Sequence, residues 1–169
     1  MPYTYEPIAT STLGSAQSNI EFTSIPNTYT DLVIAGGLRV DNAGSGGENM
    51  LIRFNGDTSN NYSMHYMLGD GSSGGYGSLE NFDSLLASSV GNTDTNLYSV
   101  ELWHINNYAN TTTYKGMILG HFAQYGNQVQ QWVGTWRSTS AITSIKILPS
   151  GSKNLASGST LTIYGIKAA

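Results

Sequence analysis

Cysteine is absent from the 169-residue chain, so no disulfide, thiol nucleophile or cysteine-held metal can belong to its chemistry. Stability has to come from packing and hydrogen bonding, and a chain of this length buries roughly 70% of its unfolded surface without such staples. Charge is scarce too. Asp, Glu, Lys and Arg make up 11% of residues, against roughly 25% in ordinary domains, which excludes long solvated helices with Glu/Lys faces. The basic residues stand singly, at Arg39, Arg53, Lys115, Arg137, Lys146, Lys153 and Lys167, and the net charge is −4. With no basic stripe to neutralise several phosphates at once, nucleic-acid binding is not expected. The longest apolar stretch, Leu32–Leu38, is interrupted by Gly36 and Gly37 and falls far short of the roughly 20 residues of a membrane span. No basic segment followed by an apolar one opens the sequence, so neither a signal peptide nor a membrane partner is expected.

What is abundant is turn and strand-surface chemistry: Ser, Thr, Asn and Gly account for 73 of the 169 residues. Short alternating runs separated by Gly/Asn/Ser/Asp clusters dominate, the pattern of a sandwich or barrel in a single domain. Nine strands are predicted: Asn19–Thr23, Asp31–Val40, Asn49–Asn55, Tyr62–Leu68, Asn96–Ile105, Tyr114–Ala123, Gln128–Trp136, Ile142–Leu148 and Thr160–Ile166. So many strands favour two packed layers over one flat sheet. Met50, Ile52 and Phe54 share one strand face and should point into the core. Asn55-Gly56 suits a turn needing positive φ at both positions. Gly69–Gly77 is too glycine-dense for a strand and reads as an exposed loop. Leu79, Phe82, Leu85 and Leu86 then fall at a spacing that permits one short helix starting near Ser78. Residues 1–12 read as an N-terminal arm without strand pattern, and residues 13–169 as the domain.

Candidate chemistry is thin. Gly69-Asp-Gly-Ser-Ser-Gly74 matches the dinucleotide fingerprint but lacks its βαβ setting, and 20 glycines make a chance match ordinary. His65, His104 and His121 each sit in a predicted strand without a second ligand at metal-face spacing, and Glu101 and His104 fall on opposite faces. The carboxylates, among them Asp41, Glu48, Asp57, Asp70, Asp83 and Asp94, lie mostly in turns and show no acid pair of the glycosidase kind. Asp41–Glu48 could wrap a calcium ion but lacks EF-hand ligand spacing. No catalytic residue, cofactor or resident metal is expected, and the chain does not read as an enzyme. Aromatics are the stronger feature. Trp132 and Trp136 share one strand parity across Gly134 and suit a sandwich interior better than a stacking platform. Tyr3 and Tyr5, between Pro2 and Pro7, suggest docking against a partner.

The run Ser24–Val33 (Ser-Ile-Pro-Asn-Thr-Tyr-Thr-Asp-Leu-Val), the elements Phe54-Asn55-Gly56-Asp57 and Asn61-Tyr62-Ser63, and the closing segments Trp136–Ile145, Ser157–Thr160 and Ile163–Ile166 resemble small virion structural proteins of tailed bacteriophages, notably marine and cyanobacterial phages. The resemblance spans about Leu13 to Ile166. It implies a jelly-roll-like β-sandwich on the virion, decorating the capsid or belonging to a tail fibre. Since one sandwich fills the chain and leaves no room for a fibre shaft, the expectation is a capsid decoration (cement) protein on the capsid exterior. It would be bound to the phage major capsid protein as a homotrimer, with Tyr3 and Tyr5 as docking anchors. The alternative is a tail-fibre module that stacks Tyr76 on host surface carbohydrate.

Overall fold

The computed structural model describes residues 5–41, 47–91, 96–123 and 128–167. Twelve strands run through them: β1 (Tyr5–Thr12), β2 (Ile20–Phe22), β3 (Asp31–Leu38), β4 (Glu48–Phe54), β5 (Tyr62–Gly69), β6 (Gly74–Phe82), β7 (Leu85–Val90), β8 (Ser99–Asn106), β9 (Lys115–Ala123), β10 (Gln128–Trp136), β11 (Ile145–Pro149) and β12 (Thr160–Ile166). They form an eight-stranded sheet, ordered β1-β12-β3-β8-β9-β10-β5-β6, and a four-stranded sheet, ordered β2-β11-β4-β7. Every pairing is antiparallel. The result is the expected all-β, jelly-roll-like two-sheet sandwich, with more strands than predicted.

Strand alternation builds the core. Met50, Ile52 and Phe54 of β4 are buried as the sequence requires, and they face Trp103, Leu119 and Trp136 in one apolar cluster. Phe54 meets Trp136 across the two layers at 5.5 Å between ring centroids. Trp132 and Trp136 are both buried, and Gly134 between them makes room for Leu85 of β7, where a Cβ would come within 2.8 Å of the leucine. The β4 turn forms as predicted, with Asn55 at φ 54° and Gly56 at φ 69°. Asn55 then ties the turn to the β11 approach: its Nδ2 donates to the Ala141 carbonyl at 2.8 Å and its Oδ1 accepts from Thr143 N at 2.8 Å.

Three expectations are corrected. Residues 5–12 are not an arm but the edge strand β1, held to β12 with hydroxyl pairs Thr10–Thr162 at 2.9 Å and Thr12–Thr160 at 2.6 Å. Their threonine-rich surface carries no apolar alternation, and Pro7 sits at an edge-strand irregularity where its missing N–H is tolerated. Tyr3 lies outside the described residues. The helix near Ser78 is two strands instead: Leu79 belongs to β6 in one sheet and Leu85 to β7 in the other, so their helical spacing comes from a chain crossing between layers. At that crossing Asn81, at φ 60°, is the extra residue of a bulge opposite Tyr62 and Ser63. Gly69–Gly77 is mostly strand rather than loop. Only Asp70–Ser73 turn, capped by the Asp70 carboxylate, which accepts from the Ser72 and Ser73 amides at 2.8 and 2.7 Å. Gly74, Gly75 and Gly77 continue into β6, and the Tyr66 ring lies over Gly77.

Candidate functional site

β8 shows how one strand serves two surfaces. Ser99, Glu101, Trp103 and Ile105 point inward, while Val100, Leu102, His104 and Asn106 are exposed on the outer face. Register carries this face across the sheet. One row runs Tyr76, Met67, Gln131, Gly120, Leu102. The next runs Ser78, His65, Val133, Ile118, His104, Val33, and a third aligns Val129, Phe122 and Val100. Met67, Val100, Leu102, Ile118, Val129 and Val133 are each 50–66% exposed. Together they make a contiguous apolar surface on a rigid sheet. Gly116 and Gly120, lacking side chains, leave it dimpled, and one shallow depression of about 390 Å³ lies among His104, Asn106, Gly116, Ile118 and Val133.

The margin is polar. His104 Nε2 pairs with Asp31 Oδ2 at 3.0 Å, and the other Asp31 oxygen accepts from Asn107 N at 2.7 Å. Arg137 bonds Ser63 Oγ, the Asn60 carbonyl at 2.6 Å and Asn81 Oδ1 at 2.7 Å, and Glu80 stands beside Ser63 on β6. Among the described residues the apolar centre holds no Lys, Arg, Asp or Glu, an anatomy of apolar centre and polar rim that protein interfaces share. Monomers rarely leave contiguous apolar surface of this kind uncovered.

Two residues singled out from the sequence lie at opposite ends of this face. Tyr5 lines a depression with Val33, Leu102, Ile118 and Gly120, and Tyr76, 90% exposed, stands beside Met67 at the far edge. The centre between them was missed. Its signal was available: β8, β9 and β10 carry bulky apolar residues at both parities, which in a sheet implies that both faces are to be covered.

The inner polar groups are structural. Glu101 and His121 lie opposite each other on β8 and β9, both side chains fully buried, with Oε1 3.0 Å from Nδ1. Trp103 Nε1 donates to the other Glu101 oxygen at 3.1 Å, while Glu101 Oε1 and both His121 ring nitrogens make no hydrogen bond among the described residues. A substrate cannot reach a pair with no exposed side-chain surface, and no group of three or more His, Asp or Glu capable of holding a metal occurs among the described residues. Lys115 is also buried, its Nζ donating to the Thr113 and Thr139 carbonyls at 2.8 and 3.3 Å, and burial lowers its pKa. Of the calcium segment, residues 42–46 lie outside the described residues. Its end carboxylates are engaged, Asp41 by Asn154 N at 3.0 Å and Glu48 by Ser150 Oγ at 3.0 Å. The fingerprint glycines Gly69–Gly74 flank a hairpin turn, with no helix N-terminus to bind a phosphate.

A second concavity opens between the layers, about 300 Å³, lined by Asn49, Tyr66, Gln128, Gln130 and Trp132 among others. Tyr66 stacks on Trp132 at 4.6 Å. Gln130 accepts from Trp132 Nε1 at 3.0 Å and donates to Gln128 Oε1 at 2.9 Å.

No family model matches the chain, and no curated protein does. Two solved structures are weakly similar in shape. Scytalido-glutamic peptidase with a transition state analog inhibitor aligns at TM-score 0.32 and 12% identity, over 82% of this chain and 66% of that one. Domains LG4-5 of the mouse laminin alpha1 chain align at TM-score 0.33 and 14% identity, over 91% of this chain and 40% of that one.

Proposed function

We propose that this chain is a structural protein of a phage virion, a capsid decoration protein that binds the major capsid protein on the outside of the head and works as a homo-oligomer. The observation that carries the reading is the outer face of the eight-stranded sheet: an exposed apolar surface with a polar rim, on a disulfide-free sandwich whose buried ionisable groups are closed to solvent. Such a surface adheres to protein. The sequence resemblance supplies the phage setting. Stabilisation would follow mass action: a subunit that binds only the assembled lattice adds its binding free energy to the shell, ~2.7 kcal/mol per site at a hundredfold excess over Kd. The edge of β1, with Tyr5, offers unpaired backbone groups to a strand of the shell. Purified protein added to expanded, decoration-free heads should bind saturably at the repeat of the lattice. No binding, or only a handful of copies per particle, would refute decoration.

A second reading, recognition of host surface carbohydrate at a tail-fibre tip, has its own support. The interlayer cleft combines stacked aromatics with glutamine and asparagine amides, and Tyr76 is exposed on the β5–β6 hairpin. Glycan-array binding that is lost in Tyr66→Ala or Tyr76→Ala would favour it over the shell.

A further inference from the structure

We propose that the outer face of the eight-stranded sheet is covered in solution by a second copy of this chain. The inference rests on the adhesive reading above and names the partner at that surface. Area is the first argument. From β3 to β6 the face crosses six strands at ~4.8 Å spacing, ~24 Å in all, and its three rows, two residues apart, span ~14 Å along the strands, so with side-chain margins of a few ångströms on each side it offers on the order of 600 Å². Specific interfaces start at roughly 1,200 Å² in total, ~600 Å² per partner. One sheet face laid on its equivalent therefore reaches the lower end of that range without any further element.

Charge is the second argument. The chain carries a net charge of −4, so two copies repel over most of their surfaces. They repel least where the described residues of the apolar centre include no acid. The acids nearest to it, Asp31 and Glu80, stand at its margin, Asp31 already paired with His104. An uncharged face is compatible with itself, and it offers nothing to the phosphates of a nucleic acid. Shape agrees: sheet faces stack at ~10 Å with small rotation, side chains of one entering the dimples of the other, and Gly116 and Gly120 provide such dimples beside Ile118. Tyr5 borders this face in the depression with Leu102 and Ile118, while the outer backbone edge of β1, beyond β12, is left for the shell.

The test is the mass of the full chain at micromolar concentration by light scattering. The wild type should run at twice 18.1 kDa, and Ile118→Lys and Val133→Lys should run as monomers with unchanged circular dichroism, because both side chains are solvent-facing within the subunit. Lys146→Gln, in the ion pair with Glu21 on the other sheet, should keep the wild-type mass. A second readout does not depend on variants: Met67, 64% exposed in the subunit, should oxidise several-fold more slowly in peroxide as concentration rises and the face is covered. A monomeric wild type, an oligomer that survives Ile118→Lys, or Met67 oxidation independent of concentration would overturn the assignment. A monomer that still saturates phage heads refutes this inference alone, whereas an oligomer that does not bind heads refutes decoration alone.

Discussion

Asp57 closes a knot at one end of the sandwich, and replacing it tests how local hydrogen bonds hold the two layers together. Its Oδ2 accepts from Trp136 Nε1 at 2.7 Å and from Asn61 Nδ2 at 3.1 Å, and its Oδ1 accepts from Ser59 N at 2.8 Å. Its carbonyl accepts from the hydroxyl of Tyr62, which in turn accepts from Phe54 N at 3.0 Å. Partial burial raises the Asp57 pKa, but the donors outweigh it and hold the carboxyl at about 2 instead of 3.8. A drop of that size corresponds to ~2.4 kcal/mol at ~1.4 kcal/mol per pH unit, of which about half survives solvent screening at a partly exposed position. Orphaning the buried Trp136 N–H adds ~1–2 kcal/mol. Asp57→Ala should therefore cost about 2–3 kcal/mol near neutral pH, or ~5–10 °C in Tm for a domain of this size.

The sign with pH follows from the depressed pKa. The carboxylate's contribution is complete above the unfolded value of 3.8 and is lost as pH falls through about 2. Urea unfolding followed by tryptophan fluorescence should show the gap between wild type and Asp57→Ala narrowing by ~1 kcal/mol from neutral pH down to pH ~2. A gap that stays constant with pH, or a variant as stable as wild type at neutral pH, would refute the reasoning.

Other expectations are briefer. Removing one member of the buried pair, by Glu101→Leu or His121→Leu, should cost about 3–5 kcal/mol, because the other is left uncompensated in the core. Glu101→Leu with His121→Leu should recover much of that loss in a double-mutant cycle read by chemical denaturation, and additive losses would argue against coupling. Lys115→Met should destabilise by ~1–3 kcal/mol in the same assay, since the Thr113 and Thr139 carbonyls lose their shared donor. Gly77→Ala should displace the Tyr66 ring, which a Cβ would approach within 2.8 Å. Near-ultraviolet dichroism of the Tyr66–Trp132 stack should therefore change, and an unaltered spectrum would contradict that packing. Tyr5→Ser should lower occupancy on phage heads with little change in Tm, because the ring is mostly solvent-exposed at the start of an edge strand.

Features governed by neighbours in the chain were legible in the sequence. The Asn55-Gly56 turn, the inward trio Met50, Ile52 and Phe54, and the nine predicted strands all correspond to observed elements, because φ preference and two-residue alternation act over a few positions. β1 and β6 escaped notice because they are edge strands rich in threonine or glycine, whose order comes from the partner strand and, at Gly77, from the Tyr66 ring. β7 was hidden because Leu79 and Leu85, helical in spacing, belong to different layers. The functional face lay further from reach. Val100, Ile118, Val133 and Met67 come from four strands that stand in the sheet order β8-β9-β10-β5, and Tyr5 and Tyr76 flank them from the ends. Composition and alternation by themselves determined a sparsely charged, cysteine-free β-sandwich. Which apolar residues stayed outside, and that they meet as one surface, was decided by long-range strand register, which depends on backbone pairing between segments far apart in sequence.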